Sequence, residues 1–261
     1  MFNLSCFLFL INSWLIHLCA RGQREDIPFT HQQKVNCVAI VNSFVVTAGT
    51  EGLIRAWQFV DGKFQQVALL EGHIRSVTCL LFAAPFLWSG SFDATLRVWE
   101  MATGRCAGCI GAGPGNANGH TQAVVCLEII TTTGPDAESY VASGGADGDV
   151  RLWKTNGEFV HSCSHGTPVT SLRCFQDIFG GQQTLIIGLL DGRIILRSCA
   201  TMNILFAINN NLLPSNVHTK AVWSIVSLGV GSSCFATGGD DGQLVVWRVS
   251  TALIDTSIGQ A

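Results

Sequence analysis

Serine or threonine, histidine and an acidic residue recur together along this chain, and these are the side chains of a hydrolase triad. Such a triad needs a nucleophile, a general base and an orienting acid within hydrogen-bond reach of one another. Here the set occurs four times, and each time a tryptophan stands six residues after the acid. Because a single reactive site would not be copied in this way, the pattern predicts structural hydrogen bonds, no catalytic residues and a protein that is not an enzyme.

A metal or phosphate site is the next chemistry that the residues suggest. Cys106, Cys109 and His120 are ligand types that zinc accepts, but a strong zinc signature pairs two close ligands with two more at fixed spacing. Along a regular strand, Cys106 and Cys109 would point to opposite faces. The glycine-rich stretch 111–119 has no Lys-Ser/Thr pair after it, which favours a loop over a phosphate cradle. We therefore predict no metal and no cofactor.

One spacing unites five segments of the chain. In each segment a histidine is followed four residues later by valine and seven residues later by an aliphatic residue; the histidines are His31, His73, His120, His165 and His218. Four segments complete a set of hydroxyl residue, histidine, acid and tryptophan: Thr47, His31, Glu51 and Trp57; Ser89, His73, Asp93 and Trp99; Ser143, His120, Asp147 and Trp153; and Thr237, His218, Asp241 and Trp247. The fourth segment keeps Asp191 but has Ile187 and Arg197 at the hydroxyl and tryptophan positions. Since these two side chains are not expected to continue the hydrogen-bond chain, we predict that the fourth segment opens first.

Each segment predicts several short strands. Successive histidines are 42, 47, 45 and 53 residues apart, close to the length of a four-stranded propeller blade, about 40–45 residues, plus loops. Acid-glycine pairs such as Asp147-Gly148 predict hairpin turns, because glycine accepts positive φ. After that turn, Val150 and Leu152 alternate with Arg151, which predicts a strand with one apolar face. A composition with 28 glycines and only 13% charged residues also favours sheets and turns.

These repeats resemble the WD-repeat family over about residues 31–250. The resemblance implies an all-β propeller in which each set of four side chains forms a buried hydrogen-bond chain that stabilises its blade. We expect five four-stranded blades within residues 31–261, with units at about 31–70, 73–110, 120–163, 165–208 and 218–258. Since the family usually has seven blades, the resemblance implies an incomplete seven-bladed ring or an open ring of five. The stretches 46–57 and 70–73 are also similar to the WD-repeat part of plant-type CCCH zinc-finger proteins, here without the zinc fingers.

The start of the chain and its cysteines bear on localisation. Residues 1–20 form an apolar leader without a basic residue before it. The leader is either a signal or anchoring segment or the non-standard start of a longer protein. Residues 21–30 are a predicted linker. Cys37, Cys79 and Cys126 each lie six residues after a repeat histidine, which predicts buried free thiols. Free thiols favour a reducing compartment, so we expect a cytoplasmic or nuclear protein, with the secretory pathway as the alternative.

Binding in such a fold depends on loops that a rigid scaffold holds in place. By family resemblance, the loops around the repeat histidine and before the repeat acid lie on one rim, and they carry the partner-binding candidates Lys34, Arg75, Phe92, Gln122, Lys220 and Asp240. Trp223 is expected to pack inside the protein instead.

Other proteins are the expected partners of this rim. With a net charge of −3 and scattered basic residues, the chain lacks the electrostatic footprint of a nucleic-acid binder. The leading hypothesis is a non-catalytic interaction scaffold or a recognition subunit of a larger complex. A nucleic-acid-associated regulator, acting through a complex or through further domains, is the alternative. A secreted or membrane-tethered propeller follows only if the leader is genuine.

Overall fold

A computed structural model of the chain describes residues 17–20, 23–26, 31–61, 63–111, 118–132, 138–179, 182–208, 217–228 and 234–248. All regular elements within these ranges are β-strands. A small antiparallel pair comes first, formed by β1 (His17–Ala20) at the end of the predicted leader and β2 (Gln23–Asp26) within the predicted linker. Five antiparallel sheets then follow one another along the chain, and we call them blades 1 to 5. No helix of the described residues is long and apolar enough to cross a membrane.

Each blade is a meander in which consecutive strands pair. Blade 1 consists of β3 (Val35–Val41), β4 (Phe44–Gly49), β5 (Ile54–Val60) and β6 (Lys63–Leu70). Blade 2 consists of β7 (Val77–Ala83), β8 (Phe86–Ser91), β9 (Leu96–Glu100) and β10 (Arg105–Ile110). Blade 3 consists of β11 (Val124–Thr131), β12 (Ser139–Gly145), β13 (Asp149–Lys154) and β14 (Phe159–Ser164).

Blade 4 consists of β15 (Val169–Phe179), β16 (Gln182–Leu189), β17 (Ile194–Ser198) and β18 (Ile204–Ile208). Blade 5 consists of β19 (Val222–Ser227), β20 (Cys234–Gly239) and β21 (Leu244–Arg248). The fourth strand predicted for the last unit falls after Arg248, outside the described residues.

A tight turn joins the second and third strands of every blade. One residue of that turn has positive φ in each case, a conformation that glycine adopts without strain. Four blades have glycine at this place, and blade 2 has alanine: Gly52 (φ 77°), Ala94 (φ 65°), Gly148 (φ 84°), Gly192 (φ 88°) and Gly242 (φ 74°). The acid-glycine pairs therefore mark the turns where the sequence predicts them, and Ala94 holds the same turn at a conformational cost.

The first strands of successive blades pack side by side in the order β3, β7, β11, β15 and β19. Side chains on several of these strands bond to the next strand in that order. Asn36 Nδ2 donates to the Val77 carbonyl at 2.8 Å, and Thr78 Oγ1 donates to the Val124 carbonyl at 2.6 Å. The blades are thus arranged around their first strands, as in a propeller.

The apolar core lies between blades rather than inside them. Each blade has two faces, and we call them the trailing face, which packs on the next blade, and the leading face, which packs on the preceding one. Between blades 2 and 3, Leu96 and Val98 of the trailing face pack with Trp153 and Val141 of the leading face. Equivalent clusters join blades 1 and 2, blades 3 and 4, and blades 4 and 5. The same two faces are therefore used at four successive interfaces.

Candidate interaction site

The repeated hydroxyl, histidine, acid and tryptophan side chains meet inside the blades. In blade 3, His120 Nδ1 donates to Asp147 Oδ1 at 3.0 Å, because a carboxylate only accepts. Nε2 of His120 is then left to accept from the Ser143 hydroxyl at 2.8 Å. The Trp153 indole N–H donates to the same hydroxyl oxygen at 2.9 Å. His120, Ser143 and Trp153 are all buried, so water is excluded from the chain of bonds.

Three other blades repeat this arrangement. In blade 2 the hydroxyl oxygen of Ser89 lies 2.8 Å from the histidine Nε2 and 2.8 Å from the tryptophan Nε1. In blade 5 the corresponding distances to Thr237 Oγ1 are 2.8 Å and 2.8 Å. In blade 1 they are 2.8 Å and 2.9 Å to Thr47 Oγ1, and His31 bonds to Glu51 rather than to an aspartate.

The buried sets are unsuited to acyl transfer. The hydroxyl that would attack a substrate already donates to histidine and accepts from tryptophan, and it is buried from solvent. Burial by itself would raise the pKa of Asp93, but hydrogen bonds from His73 and Thr95 outweigh it and hold that pKa well below its ordinary value. A carboxylate held in this way stays ionised and orients its histidine, which is a structural role.

Blade 4 contains a different network. His165 Nε2 accepts from Arg197 Nε at 3.1 Å, and Arg197 also donates to the Met202 carbonyl. Asp191 pairs with Arg193 at 2.7 Å. Burial, together with the nearby Arg197 guanidinium, lowers the pKa of His165 to about 4. Blade 4 thus lacks the hydroxyl-centred chain, as Ile187 predicts, but the Arg197 guanidinium bonds directly to the repeat histidine from the tryptophan position, which the sequence did not predict. The order in which the blades open stays a prediction.

The cysteines of β10 differ from the sequence-based expectation. A β-bulge at Ala107 shifts the register, so that Cys106 lies opposite Trp99 and Cys109 lies opposite Arg97. Arg97 and Trp99 are two residues apart, so both cysteines lie on one face of the sheet, and the prediction of opposite faces is wrong. Both are exposed. Within the described ranges no three His, Cys, Asp or Glu side chains are grouped as a metal site requires.

The cysteines of the first strands lie between blades. Burial raises the pKa of Cys79 to about 12, and burial also raises the pKa of Cys37 and of Cys126 well above the ordinary value. No disulfide is formed by these three residues. Their thiols are therefore protonated and unreactive in the folded protein.

Three of the six predicted partner-binding residues come together on one rim. Arg75, Phe92 and Gln122 line a concave, open pocket between the loops of blades 2 and 3. The remaining lining residues are Ile74, Asp93, Ala94, Thr121 and Ala123. Sequence reasoning did not select Ile74, although its side chain is 87% exposed directly after a repeat histidine. The sequence feature that could have identified Ile74 is an apolar residue within a predicted rim loop.

The other three candidates, Lys34, Lys220 and Asp240, are exposed but do not line this pocket. Trp223 is half exposed, so the expectation that it packs inside the protein is wrong. Its position in β19 corresponds to the one from which Thr170 bonds to the following blade.

In the rim pocket the positive charge is available to a ligand, whereas the negative charge is not. Arg75 forms no ion pair among the described residues, whereas the carboxylate of Asp93 is occupied by His73, Thr95 and the Ile74 backbone N–H. The free guanidinium lies beside Ile74 and Phe92, both largely exposed. The pocket can therefore take an apolar group next to an anionic one.

Five successive antiparallel sheets, four of which share one internal hydrogen-bond pattern, define a β-propeller. The family model "WD domain, G-beta repeat" matches residues 64–100, 115–154 and 212–248. The chain thus folds as a β-propeller, and three stretches of it match WD repeats.

Several curated proteins are similar to parts of the chain. The "WD repeat, SAM and U-box domain-containing protein 1" of Danio rerio is 32% identical over 126 residues, 48% of this chain and 24% of that protein. The "Zinc finger CCCH domain-containing protein 17" of Oryza sativa subsp. japonica is 37% identical over 75 residues, 28% of this chain and 17% of that protein. The "Cell division control protein 4" of Saccharomyces cerevisiae is 29% identical over 109 residues, 41% of this chain and 13% of that protein. The matches thus span less than a third of each of these relatives. The WD repeats support a role as a protein-interaction scaffold.

Proposed function

We propose that the chain is a non-catalytic recognition subunit that binds an extended segment of a partner protein in the rim pocket between blades 2 and 3. The observation that carries this proposal is Arg75, which has no ion-pair partner among the described residues and lines the pocket with the exposed side chains of Ile74 and Phe92. Arginine and aromatic residues dominate binding energy at protein interfaces when they are desolvated. The favoured segment has an aliphatic or aromatic side chain close to an aspartate, a glutamate or another anionic group.

A peptide selection on the full chain tests the pocket directly. Peptides from a random display library are selected on the wild-type chain and their affinities are measured for Arg75→Ala/Phe92→Ala. The matched control is Arg105→Ala/Val160→Ala, which removes an exposed arginine and an exposed apolar residue from the outer strands β10 and β14. We expect the pocket variant to weaken binding at least tenfold, since each hot-spot truncation costs about 1–2 kcal/mol or more.

Two results would contradict the proposal. If the selected peptides lack an acidic residue next to an apolar one, Arg75 does not determine which segment binds. Unchanged affinity in the pocket variant would place the binding surface elsewhere. Proximity labelling with the same two variants in cells then tests whether natural neighbours depend on this pocket.

The rice relative named as a CCCH zinc-finger protein favours a second candidate, a nucleic-acid-associated regulator. On this alternative the described blades contact a protein of the complex and not the nucleic acid, because arginines such as Arg55 and Arg151 are paired with carboxylates. A fluorescent single-stranded RNA titrated with the full chain at physiological salt is expected to show no saturable binding. Salt-dependent binding would instead support direct contact.

A further inference from the structure

Arg97 differs from the arginines at the same position of the neighbouring blades. Arg55, Arg97 and Arg151 each lie two residues before the repeat tryptophan. Arg55 pairs with Glu51, and Arg151 pairs with Asp147. Arg97 has no ion pair among the described residues, and its Nε is buried without a hydrogen-bond partner there. No carboxylate of the described residues therefore balances the charge of Arg97.

The repeat acid of blade 2 is not available to Arg97. The Asp93 carboxylate accepts from the Thr95 hydroxyl at 2.6 Å and from His73 at 2.9 Å. The guanidinium packs instead against the loop between blades 1 and 2, where a Cβ added at Gly72 would lie 2.6 Å from Nη1. Arg97 is therefore held in place while its charge lacks an anion.

The guanidinium of Arg97 contacts an exposed thiol. Arg97 Nη1 donates to Cys106 Sγ at 3.5 Å, and the Cys106 thiol donates to the Gly108 carbonyl at 3.2 Å. Cys106 is exposed on β10, the outer strand of blade 2. A hydrogen bond from a cation is stronger when the acceptor is an anion. The contact therefore favours the thiolate of Cys106, which is the form that attacks a disulfide.

Cys109 is the second exposed thiol on this face, and it has no hydrogen bond to Arg97. Cys106 and Cys109 lie opposite Trp99 and Arg97, two rungs of the ladder apart. Two rungs correspond to about 6.6 Å along a strand. That separation is near the upper limit for the Cα atoms of two cysteines joined by a disulfide. A disulfide between Cys106 and Cys109 would therefore be strained.

We propose that Cys106 is a modification site that takes up glutathione from glutathione disulfide. The Cys106 thiolate attacks one sulfur of glutathione disulfide, the S–S bond of the reagent breaks, and one glutathione leaves as a thiolate that takes up a proton. The new bond joins Cys106 Sγ to the other glutathione. Glutathione disulfide is reduced as the protein thiol is oxidised, so no further reactant is needed. The carboxylates of glutathione are anionic, which suits a face that carries an unbalanced guanidinium.

Incubation of the folded full chain with glutathione disulfide at neutral pH tests the site, with intact-mass measurement and peptide mapping as the readout. We expect one glutathione per chain, attached to Cys106. Cys106→Ser should abolish the modification, and Cys109→Ser should retain it. Arg97→Gln should slow it about fivefold, because the thiolate loses its cationic donor. The matched control is Arg105→Gln, which removes the exposed arginine directly before Cys106 and should change the rate by less than about twofold.

The pH dependence distinguishes activation of the thiol from a purely structural role of Arg97. At about pH 9.5 an unperturbed cysteine is largely ionised, so a neutral disulfide reagent should then modify Arg97→Gln and the wild type at similar rates. Equal rates at neutral pH, or uptake of glutathione on Cys109 instead of Cys106, would refute the assignment. A product without glutathione, in which Cys106 and Cys109 are joined, would refute the mixed disulfide as the product. Far-ultraviolet circular dichroism verifies that every variant is folded.

Discussion

The Ser143 hydroxyl is the centre of the hydrogen-bond chain in blade 3, and its removal should strongly destabilise the protein. It lies 2.8 Å from His120 Nε2 and 2.9 Å from Trp153 Nε1. In Ser143→Ala both nitrogens lose this partner while remaining buried. Each unsatisfied buried group costs about 1–3 kcal/mol, so we expect the free energy of unfolding to fall by about 2–6 kcal/mol. That is a large share of the roughly 5–15 kcal/mol that stabilises a typical domain.

Urea unfolding followed by circular dichroism measures the global effect, and hydrogen exchange shows whether it is concentrated in blade 3. Hydrogen exchange is needed because repeat arrays do not always unfold in a single step. Ser162→Ala, an exposed serine on β14, is the control and should change stability by less than about 0.5 kcal/mol.

Ser143→Thr distinguishes the loss of hydrogen bonds from a change in packing. Thr47 and Thr237 make the same two bonds in blades 1 and 5, so a threonine hydroxyl should retain most of the wild-type stability. If Ser143→Ala is as stable as the wild type, the chain of bonds is not a stabilising device. If Ser143→Thr is as unstable as Ser143→Ala, the loss comes from packing and not from hydrogen bonds.

Three further predictions follow from single positions. Ala94→Gly should stabilise the chain by about 0.5–1 kcal/mol in urea unfolding, because glycine adopts positive φ without strain. Gly242→Ala should destabilise it by about 1 kcal/mol or more through the same backbone strain, since an added Cβ there meets no neighbour. The exposed thiols of Cys106 and Cys109 should react with a disulfide reagent before unfolding. The half-buried cysteines of the first strands, whose thiol pKa is raised by desolvation, should react only after it; simultaneous reaction would contradict this protection. The pKa of His165 is lowered to about 4 in the folded protein, so as pH falls the unfolded chain protonates this histidine before the folded chain does. The free energy of unfolding should therefore fall as pH drops from about 6.5 to 4. A His165→Gln variant with the same pH dependence would exclude His165 as the cause.

Much of the fold can be predicted from local residue spacing, because similar spacing recurs from blade to blade. The offsets between histidine, hydroxyl, acid and tryptophan place four side chains on strands that pair in a fixed register. Ser143 lies opposite Arg151 and Val141 lies opposite Trp153, which brings Trp153 within reach of the hydroxyl. Since the side-chain period of a strand is two, a pattern of this kind has few alternative arrangements.

Blade 4 and strand β10 show where sequence reasoning fell short. Arg197 bonds to His165 although no repeat position predicts it, because a long guanidinium side chain reaches partners that a spacing rule does not cover. Cys106 and Cys109 share a face because one extra residue bulges out of the ladder. A bulge leaves no clear trace in the identity of Ala107, so periodicity alone assigned the wrong faces.

The sequence by itself determined the strands, the turns and the buried hydrogen-bond sets, because all of these depend on residues within one unit of the repeat. Only the tertiary structure decided which rim loops form one pocket and which apolar side chains are exposed among the described residues. Arg75 and Gln122 meet because blades 2 and 3 pack side by side, and Leu244 is exposed because no other described blade packs on it. Burial depends on neighbours that are distant along the chain, and an apolar residue has the same local pattern whether or not such a neighbour is present.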